Sequence, residues 1–330
     1  PTTVATLSAK IKQVVQMYYA ETAGARSTAG IDFVLNDFGF RGVSSVESAG
    51  IGGMAHLLSF AGSDTVIANV FAKEFYEAQK VPGSSVPATE HSVMTMRGEA
   101  GEIEMFKHVL KTYPTGIVAC VSDSFNIFRA CADYWGTELK EAVLNRKGTL
   151  VIRPDSGDPG QTLLSVFDIL FEKFGYTVNE KGYRVLPPQV RVIQGDGVDY
   201  MSILHVYQVL KMNGISAENL VLGMGGALLQ KVDRDTQKFA LKCSYAEING
   251  LPADVYKDPV EINAQGEIEQ SFKHSKAGRL KLVKTGAGYE TLREDESVGL
   301  RDELVTVFKN GEVTKVYGWE EVRQRVNMRS

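Results

Sequence analysis

Several things are scarce in this sequence, and each scarcity excludes something. There are three cysteines in 330 residues, Cys120, Cys131 and Cys243, with no C-x-x-C spacing. That argues against a disulfide framework or a zinc site and predicts buried, reduced thiols in a cytoplasmic protein. Basic charge is not in excess: 36 Lys and Arg stand against 40 Asp and Glu, a net charge of -4. A nucleic-acid-binding surface is therefore not expected, although a local cationic pocket for phosphates is compatible with it. No apolar run approaches the length of a membrane span, and no secretory signal opens the chain. No solenoid-length period is present. The chain opens Pro1-Thr2-Thr3, without Met, and is expected to begin inside a longer polypeptide.

What is present is a recurring unit. Leu150-Val151-Ile152-Arg153-Pro154-Asp155 is a β-branched run that ends in an arginine and a carboxylate. A Gly/Pro turn and a helix pattern follow it. A buried strand of this kind delivers Arg153 and Asp155 to its C-terminal end, where α/β sheets bind ligands. The unit returns at Ile31–Leu35 before Asn36-Asp37-Phe38, at Phe60–Thr65, at Gly116–Asp123, at Val190–Gly197 and at Leu220–Gly226. Alternating strand, polar or glycine tip, and helix predicts parallel strands. Six tips favour an α/β barrel or barrel-like sheet. After about residue 235 the pattern changes to antiparallel strands with turns such as Asn310-Gly311. We therefore expect three parts: 1–30 as a helical connection from a preceding segment, 31–235 as a barrel-like catalytic domain, and 236–330 as a sheet-rich region ending in a helix over Trp319–Asn327.

Asp123, Asp155 and Asp196 each end an apolar strand and should meet at one mouth. Clustered carboxylates repel one another, and Mg²⁺ would offset that repulsion in a site for a phosphorylated substrate. The competing reading is helix N-capping, which Asp commonly performs at a βα turn. Gly195-Asp196-Gly197 and Gly225-Gly226 resemble backbone phosphate cradles but could equally be tight turns. Arg41 and Arg153 sit at tips where arginine forks hold phosphate. Lys231, Arg234, Lys242, Lys273 and Arg279 are further cations, solvated by default. His91 lies in a Pro/Ser-rich loop before a helix, a candidate acid, base or nucleophile towards phosphate. Phe38 could stack on a planar ring, and Asp64 could accept hydrogen bonds from an amide while repelling a carboxylate.

Seven stretches in order closely resemble nicotinamide phosphoribosyltransferases. They are Asp37-Phe38-Gly39-Phe40-Arg41-Gly42, Val81-Pro82-Gly83 through Glu90-His91-Ser92, Val121-Ser122-Asp123, Ile152-Arg153-Pro154-Asp155-Ser156-Gly157, Val192-Ile193-Gln194-Gly195-Asp196-Gly197, Leu228-Leu229-Gln230-Lys231 and Lys242-Cys243-Ser244-Tyr245. The resemblance implies a type II phosphoribosyltransferase fold: an irregular α/β barrel with an additional, mainly antiparallel sheet region. It implies a homodimer with its active site at the subunit interface. The implied reaction makes nicotinamide mononucleotide and pyrophosphate from nicotinamide and phosphoribosyl pyrophosphate, with Mg²⁺ and with ATP as a coupled co-substrate. By the same resemblance Phe38 stacks on nicotinamide, Asp64 binds its carboxamide and Ser85 lies near the amide. Arg41 and Arg153 line the ring and ribose side, and Asp123 and Asp155 handle Mg²⁺, pyrophosphate or ribose. Gly195, Asp196, Gly225 and Gly226 form the phosphate end, while Arg234, Lys242 and Lys273 meet pyrophosphate or ATP phosphates. His91 matches a histidine that is transiently phosphorylated when ATP is hydrolysed.

Three departures stand out. The family is longer at its N-terminus, so a separate N-terminal chain is a possible partner. Met224-Gly225-Gly226-Ala227 replaces a serine-glycine run, and the Glu261–Gln270 stretch is longer than expected. The rival readings are a nicotinate phosphoribosyltransferase, against which Asp64 argues, and an inert fragment or subunit module. A barrel lyase would need a Schiff-base lysine at a tip, and no candidate is present.

Overall fold

The computed structural model describes residues 1–25, 27–155, 157–231, 243–256, 260–262, 268–270 and 276–328. It divides into two compact units, Pro1–Gln237 with Tyr317–Ser330, and Lys238–Val316. The expected 1–30 connection is thus part of the first unit, and the last helix returns to it.

In the first unit, helix α1 (Thr2–Thr22) buries Val4, Ile11, Val14, Val15 and Tyr18 on one face, as their 3.6-residue spacing requires. A 3₁₀ turn over Ser27–Phe33 leads to strand β1 (Leu35–Asp37). The strand expected at Ile31–Leu35 is therefore displaced. Val34 N–H closes a turn on the Ile31 carbonyl, and Lys12 of α1 holds Asp32 at 2.9 Å. That turn and that ion pair win over the β-branched pattern.

Helix α2 (Val46–His56), strand β2 (Gly62–Ser63) and helix α3 (Val66–Tyr76) follow. Next come α4 (His91–Thr95), α5 (Glu102–Thr112) and β3 (Thr115–Val121). Helix α6 (Ile127–Arg129) runs into a π-helical stretch over Ala130–Glu138, then α7 (Lys140–Leu144), β4 (Lys147–Arg153) and α8 (Pro159–Phe174). A short hairpin, β5 (Thr177–Val178) and β6 (Arg184–Val185), precedes β7 (Val190–Gln194), α9 (Tyr200–Met212), β8 (Leu220–Met224) and α10 (Gly226–Leu229).

Six strands form one parallel sheet in the order β2-β1-β8-β7-β4-β3. Its two edges are joined by the extended segment 84–89. Ser84 pairs in parallel with Gly62 on β2, and Ala88 pairs in parallel with Ala119 on β3. Four backbone hydrogen bonds of 2.8–3.0 Å make these joints: Ser63 N to Ser84 O, Ser84 N to Ala61 O, Ala119 N to Pro87 O, and Thr89 N to Ala119 O. The strap curls the sheet into an irregular α/β barrel.

Strand alternation sorts the side chains onto two faces. Val118, Cys120, Leu150, Ile152, Val192, Leu220 and Leu222 belong to the main core with Leu163, Phe167 and Leu170 of α8. Ala119, Val151 and Ile193 form a separate small cluster, against which Val221 and Phe38 pack. Both faces are buried, which is why these strands read as unbroken apolar runs.

Among the described residues the second unit contains four antiparallel pairs: β9 (Tyr245–Ile248) with β10 (Leu251–Asp254), β11 (Val260–Ile262) with β12 (Ile268–Gln270), β13 (Leu280–Thr285) with β14 (Gly288–Arg293), and β15 (Phe308–Lys309) with β16 (Glu312–Val313). The turn of the last pair has positive φ at Asn310 (52°) and Gly311 (87°), the conformation that Asn-Gly accepts most readily. Helix α11 (Trp319–Asn327) closes the first unit, with Trp319 buried against α2 and α3 residues Met54, Leu57, Ala68 and Ala72.

Cys120 and Cys131 are buried, and burial pushes each thiol up to about 12. Cys243, expected to be buried, is exposed. It stands just before the β9–β10 pair, whose residues are exposed or only half-buried. Among the described residues no helix is long and apolar enough to cross a membrane.

Candidate active site

The strand tips enclose a cavity of about 820 Å³ in the first unit. Ten of the expected residues line it: Phe38, Arg41, Asp64, His91, Arg153, Asp155, Gly195, Asp196, Gly225 and Gly226. Ser85 and Asp123 stand one step behind, bonded to residues that do. Arg234, Lys242 and Lys273 lie outside the described residues.

At the β1 tip, Phe38 N–H bonds to the Met224 carbonyl at 3.0 Å. Its ring lies flat against backbone: a Cβ on Gly223 would sit 2.0 Å from Phe38 Cε2, and one on Gly195 would sit 3.5 Å from it. The glycine at 223 on β8 is thus what makes room for the aromatic, while Gly195 beyond β7 lies at ordinary contact distance. Across from it, Ser85 Oγ donates a short hydrogen bond to Asp64 Oδ1. The barrel-closing strap therefore aims the Asp64 carboxylate.

The strap continues to His91. Val121 N–H bonds to Thr89 Oγ1 at 3.0 Å, so a side chain substitutes for the missing strand partner. Glu90 caps α4 through Ser92 N–H at 2.8 Å. His91 Nε2 then meets Asp123 Oδ1 at 3.0 Å, and Asp123 Oδ2 accepts the Asp155 backbone N–H at 3.1 Å. Among the described residues nothing hydrogen-bonds His91 Nδ1, and the side chain is 37% exposed.

Three other residues do the helix capping. Asn126 caps α6, Asp158 caps α8, and Asp199 caps α9 with a reciprocal bond from Ser202. Asp123, Asp155 and Asp196 cap none of these helices. Arg153 Nε lies 3.7 Å from Asp155 Oδ1 and makes no hydrogen bond. Burial pushes the Asp155 carboxyl above its ordinary range; Arg153 opposes this, while Asp123 and Asp196 add to it. A carboxylate so crowded is the kind of group a divalent cation would relieve. Among the described residues no three His, Cys, Asp or Glu side chains gather as a protein-only metal site requires. That donor set suits a hard cation held by one or two carboxylates and completed by phosphate oxygens.

Phe40, Thr89, Gln230 and Lys231 also line the cavity but were not singled out as site residues. Lys231 belongs to the quoted Leu-Leu-Gln-Lys motif, so its signal was available. Asp37 was missed as well. It is 0% exposed, and its carboxylate accepts Gly39 N–H at 2.8 Å and Ser63 Oγ–H at 3.4 Å.

Residues 33–311 match the family described as "Nicotinate phosphoribosyltransferase (NAPRTase) family". The chain is 44% identical over 331 aligned positions to "Nicotinamide phosphoribosyltransferase" of Xanthomonas campestris pv. campestris (strain 8004), covering 98% of this chain and 68% of that protein. It is 33% identical to the protein of the same name from Acinetobacter baylyi, covering 98% and 66%. The chain thus spans about two thirds of these relatives' length. Among solved structures, nicotinate phosphoribosyltransferase from Porphyromonas gingivalis aligns over 68% of this chain and 52% of its own, at 16% identity and a TM-score of 0.42. By its sequence match over residues 33–311, the chain belongs to the nicotinate phosphoribosyltransferase family.

Proposed function

We propose that this cavity transfers the phosphoribosyl group of phosphoribosyl pyrophosphate to nicotinamide, giving nicotinamide mononucleotide and pyrophosphate, a step of NAD salvage. The single observation that carries the choice of nicotinamide is the pairing of Phe38, a ring seated against Gly223, with an Asp64 carboxylate bonded by Ser85. A planar ring stacks on the first, and a carboxamide N–H₂ donates to the second. Nicotinate would bring a second carboxylate against Asp64 and be repelled. The names of the curated relatives agree with this choice.

In this reading the pyridine nitrogen attacks C1 of the ribose as the C1–O bond to pyrophosphate breaks. Arg153 and the cavity's Lys231 favour the charge that develops on the leaving group. The Asp155 and Asp196 carboxylates favour the oxocarbenium-like ribose. Asp123 and Asp155 would hold Mg²⁺, whose chemistry is to neutralise the departing pyrophosphate.

The reading extends to ATP. With Nε2–H donating to the Asp123 carboxylate, Nδ1 carries the lone pair of the neutral imidazole. Attack of Nδ1 on the γ-phosphorus would release ADP and leave a phosphohistidine, hydrolysed later to phosphate. The negative phosphoryl group would bind cations and order the mouth. The reading also includes a cytoplasmic homodimer with the cavity at the subunit interface, with a separate N-terminal chain as a further partner. The exposed apolar side chains of Phe40 on the cavity wall and of Val46 and Val66, which begin α2 and α3, support such a contact.

The test is a product assay with nicotinamide and nicotinate in parallel, run on the chain alone and with an N-terminal segment supplied. Nicotinamide mononucleotide and pyrophosphate in equal amounts are expected. A preference for nicotinate would overturn the choice of base, and no product under either condition would favour an inert module.

A further inference from the structure

Asp37 is a fully buried carboxylate that faces no ligand. It ends β1, and its titratable neighbour is the buried His56, which burial holds below its ordinary range against the pull of Asp37. Burying a carboxylate without a cation is costly, and hydrogen bonds must offset it. Oδ1 accepts Gly39 N–H at 2.8 Å, and Oδ2 accepts Ser63 Oγ–H at 3.4 Å. The Asp37 carbonyl accepts Asp64 N–H at 2.9 Å. Ser63 Oγ in turn accepts Thr65 N–H at 3.0 Å. Helix α2 closes the far side: a Cβ on Gly53 would lie 3.1 Å from Oδ2.

These contacts share one consequence. Gly39 is the residue after Phe38, and Ser63 is the residue before Asp64. One carboxyl group therefore grips the chain beside the aromatic and beside the amide acceptor. The two groups come from different strands, β1 and the end of β2. Backbone pairing sets the register, with Asp37 opposite Ser63, and the Asp37 carboxylate adds one side-chain bond on each side of it.

We propose that Asp37 is a positioning residue that sets the distance between the Phe38 ring and the Asp64 carboxylate, and so sets selectivity for a planar aromatic amide over the corresponding acid. The proposal rests on the reading of the cavity given above. It assigns Asp37 to base recognition alone, because the phosphate end is built from other strands, β4, β7 and β8.

The experiment measures binding of nicotinamide, nicotinate and phosphoribosyl pyrophosphate separately by equilibrium titration, and the KM of each in the assay. The proteins are the wild type, Asp37→Ala, Asp37→Asn and Ser63→Ala. Asp37→Ala is expected to raise the nicotinamide Kd and KM at least ten-fold and to narrow the amide-to-acid ratio by a similar factor. The phosphoribosyl pyrophosphate Kd should stay within two-fold. Asp37→Asn keeps the Oδ1 acceptor and should recover part of the loss. Ser63→Ala leaves Asp37 in place, is a smaller change than removing a buried carboxylate, and should raise the nicotinamide KM about three-fold. Equal weakening of both substrates in Ser63→Ala, or an unchanged amide-to-acid ratio in every variant, would overturn the proposal while leaving the reading intact. Failure of the wild type to bind nicotinamide would overturn the reading and this proposal together.

Discussion

His91 and Asp123, 32 residues apart in the chain, meet with Nε2 and Oδ1 3.0 Å from each other. They come from different structural contexts. His91 starts α4 at the end of the barrel-closing strap, and Asp123 follows β3, the strand that the strap joins. Because the other Asp123 oxygen holds the Asp155 N–H, the carboxylate fixes the imidazole and the next strand tip at once.

That geometry makes a prediction about ATP. His91→Ala should abolish ATP stimulation of nicotinamide mononucleotide synthesis and leave the ATP-independent rate within a few-fold. Asp123→Asn should lower stimulation by about 10²-fold, the usual scale for a mis-oriented acid–base group. Initial rates with and without ATP, together with acid-labile phosphate on the protein, measure both. Stimulation that survives in His91→Ala would rule out the phosphohistidine.

The Ser85–Asp64 bond makes a second. Removing the hydroxyl frees the carboxylate to turn, and a hydrogen bond to a charged group is worth about 1.5–3 kcal/mol. Ser85→Ala should therefore lower the preference for nicotinamide over nicotinate about ten-fold, and Asp64→Asn by more. In the double variant the Ser85 effect should vanish, because its target is gone. Additive effects in a competition assay would count against this coupling.

A third concerns stability and pH. Glu102, in the first turn of α5, is 0% exposed, and among the described residues neither carboxyl oxygen has a hydrogen-bond partner. Burial pushes it from 4.5 up to about 7, against the pull of Arg129 and with the push of Glu99 and Asp123. The folded state therefore holds this proton more tightly than the unfolded one. Its favourable contribution is complete below pH 4.5 and is lost as pH rises through about 7. Glu102→Gln removes the ionisation, so it should flatten the pH dependence in this window and raise Tm at pH 8 by roughly 2 °C. Thermal melts of both proteins at pH 5.5 and 8, in metal-free buffer, make the comparison. A variant no more stable than wild type at pH 8 would show that Glu102 is not a source of strain.

The strand tips were legible because a buried parallel strand announces itself as an apolar run, and a polar residue that ends one must sit at the mouth. Arg153, Asp155, Gly195 and Asp196 were placed on the cavity by that logic alone. The strap was not legible. It pairs at two isolated bridges, so Val81–His91 shows no alternation to read and looks like a Pro-rich loop. The 3₁₀ turn over Ser27–Phe33 defeated the β-branched pattern at Ile31 because Lys12, distant in sequence, holds Asp32. Asp37 escaped notice for the opposite reason. It sits beside Phe38 in a quoted motif, and only its burial and its two bond partners separate it from an ordinary tip carboxylate. Capping was readable in kind but not in assignment: Asp158 and Asp199 cap, whereas Asp155 and Asp196 do not, and three residues of register decide it.

Gly223 and Phe38 pack too closely for a side chain to stand between them. A methyl on Gly223 would sit 2.0 Å from Phe38 Cε2 and 2.4 Å from Cδ2, so the ring must leave its seat. Gly223 lies within β8, where the rest of the strand is held by hydrogen-bonded neighbours on both sides, so the ring should move rather than the backbone. A displaced ring cannot stack on nicotinamide, and loss of a stacking contact worth about 0.5–1.5 kcal/mol corresponds to a rise in KM of up to about ten-fold. The phosphoribosyl pyrophosphate KM should be unchanged, because Gly223 faces the ring and not the phosphate end. Phe38→Leu combined with Gly223→Ala fills the same space with a smaller side chain. It should be no worse than Phe38→Leu alone. If Gly223→Ala instead weakened both substrates equally, or if adding it to Phe38→Leu cost as much as adding it to wild type, the collision with the ring would not be its cause.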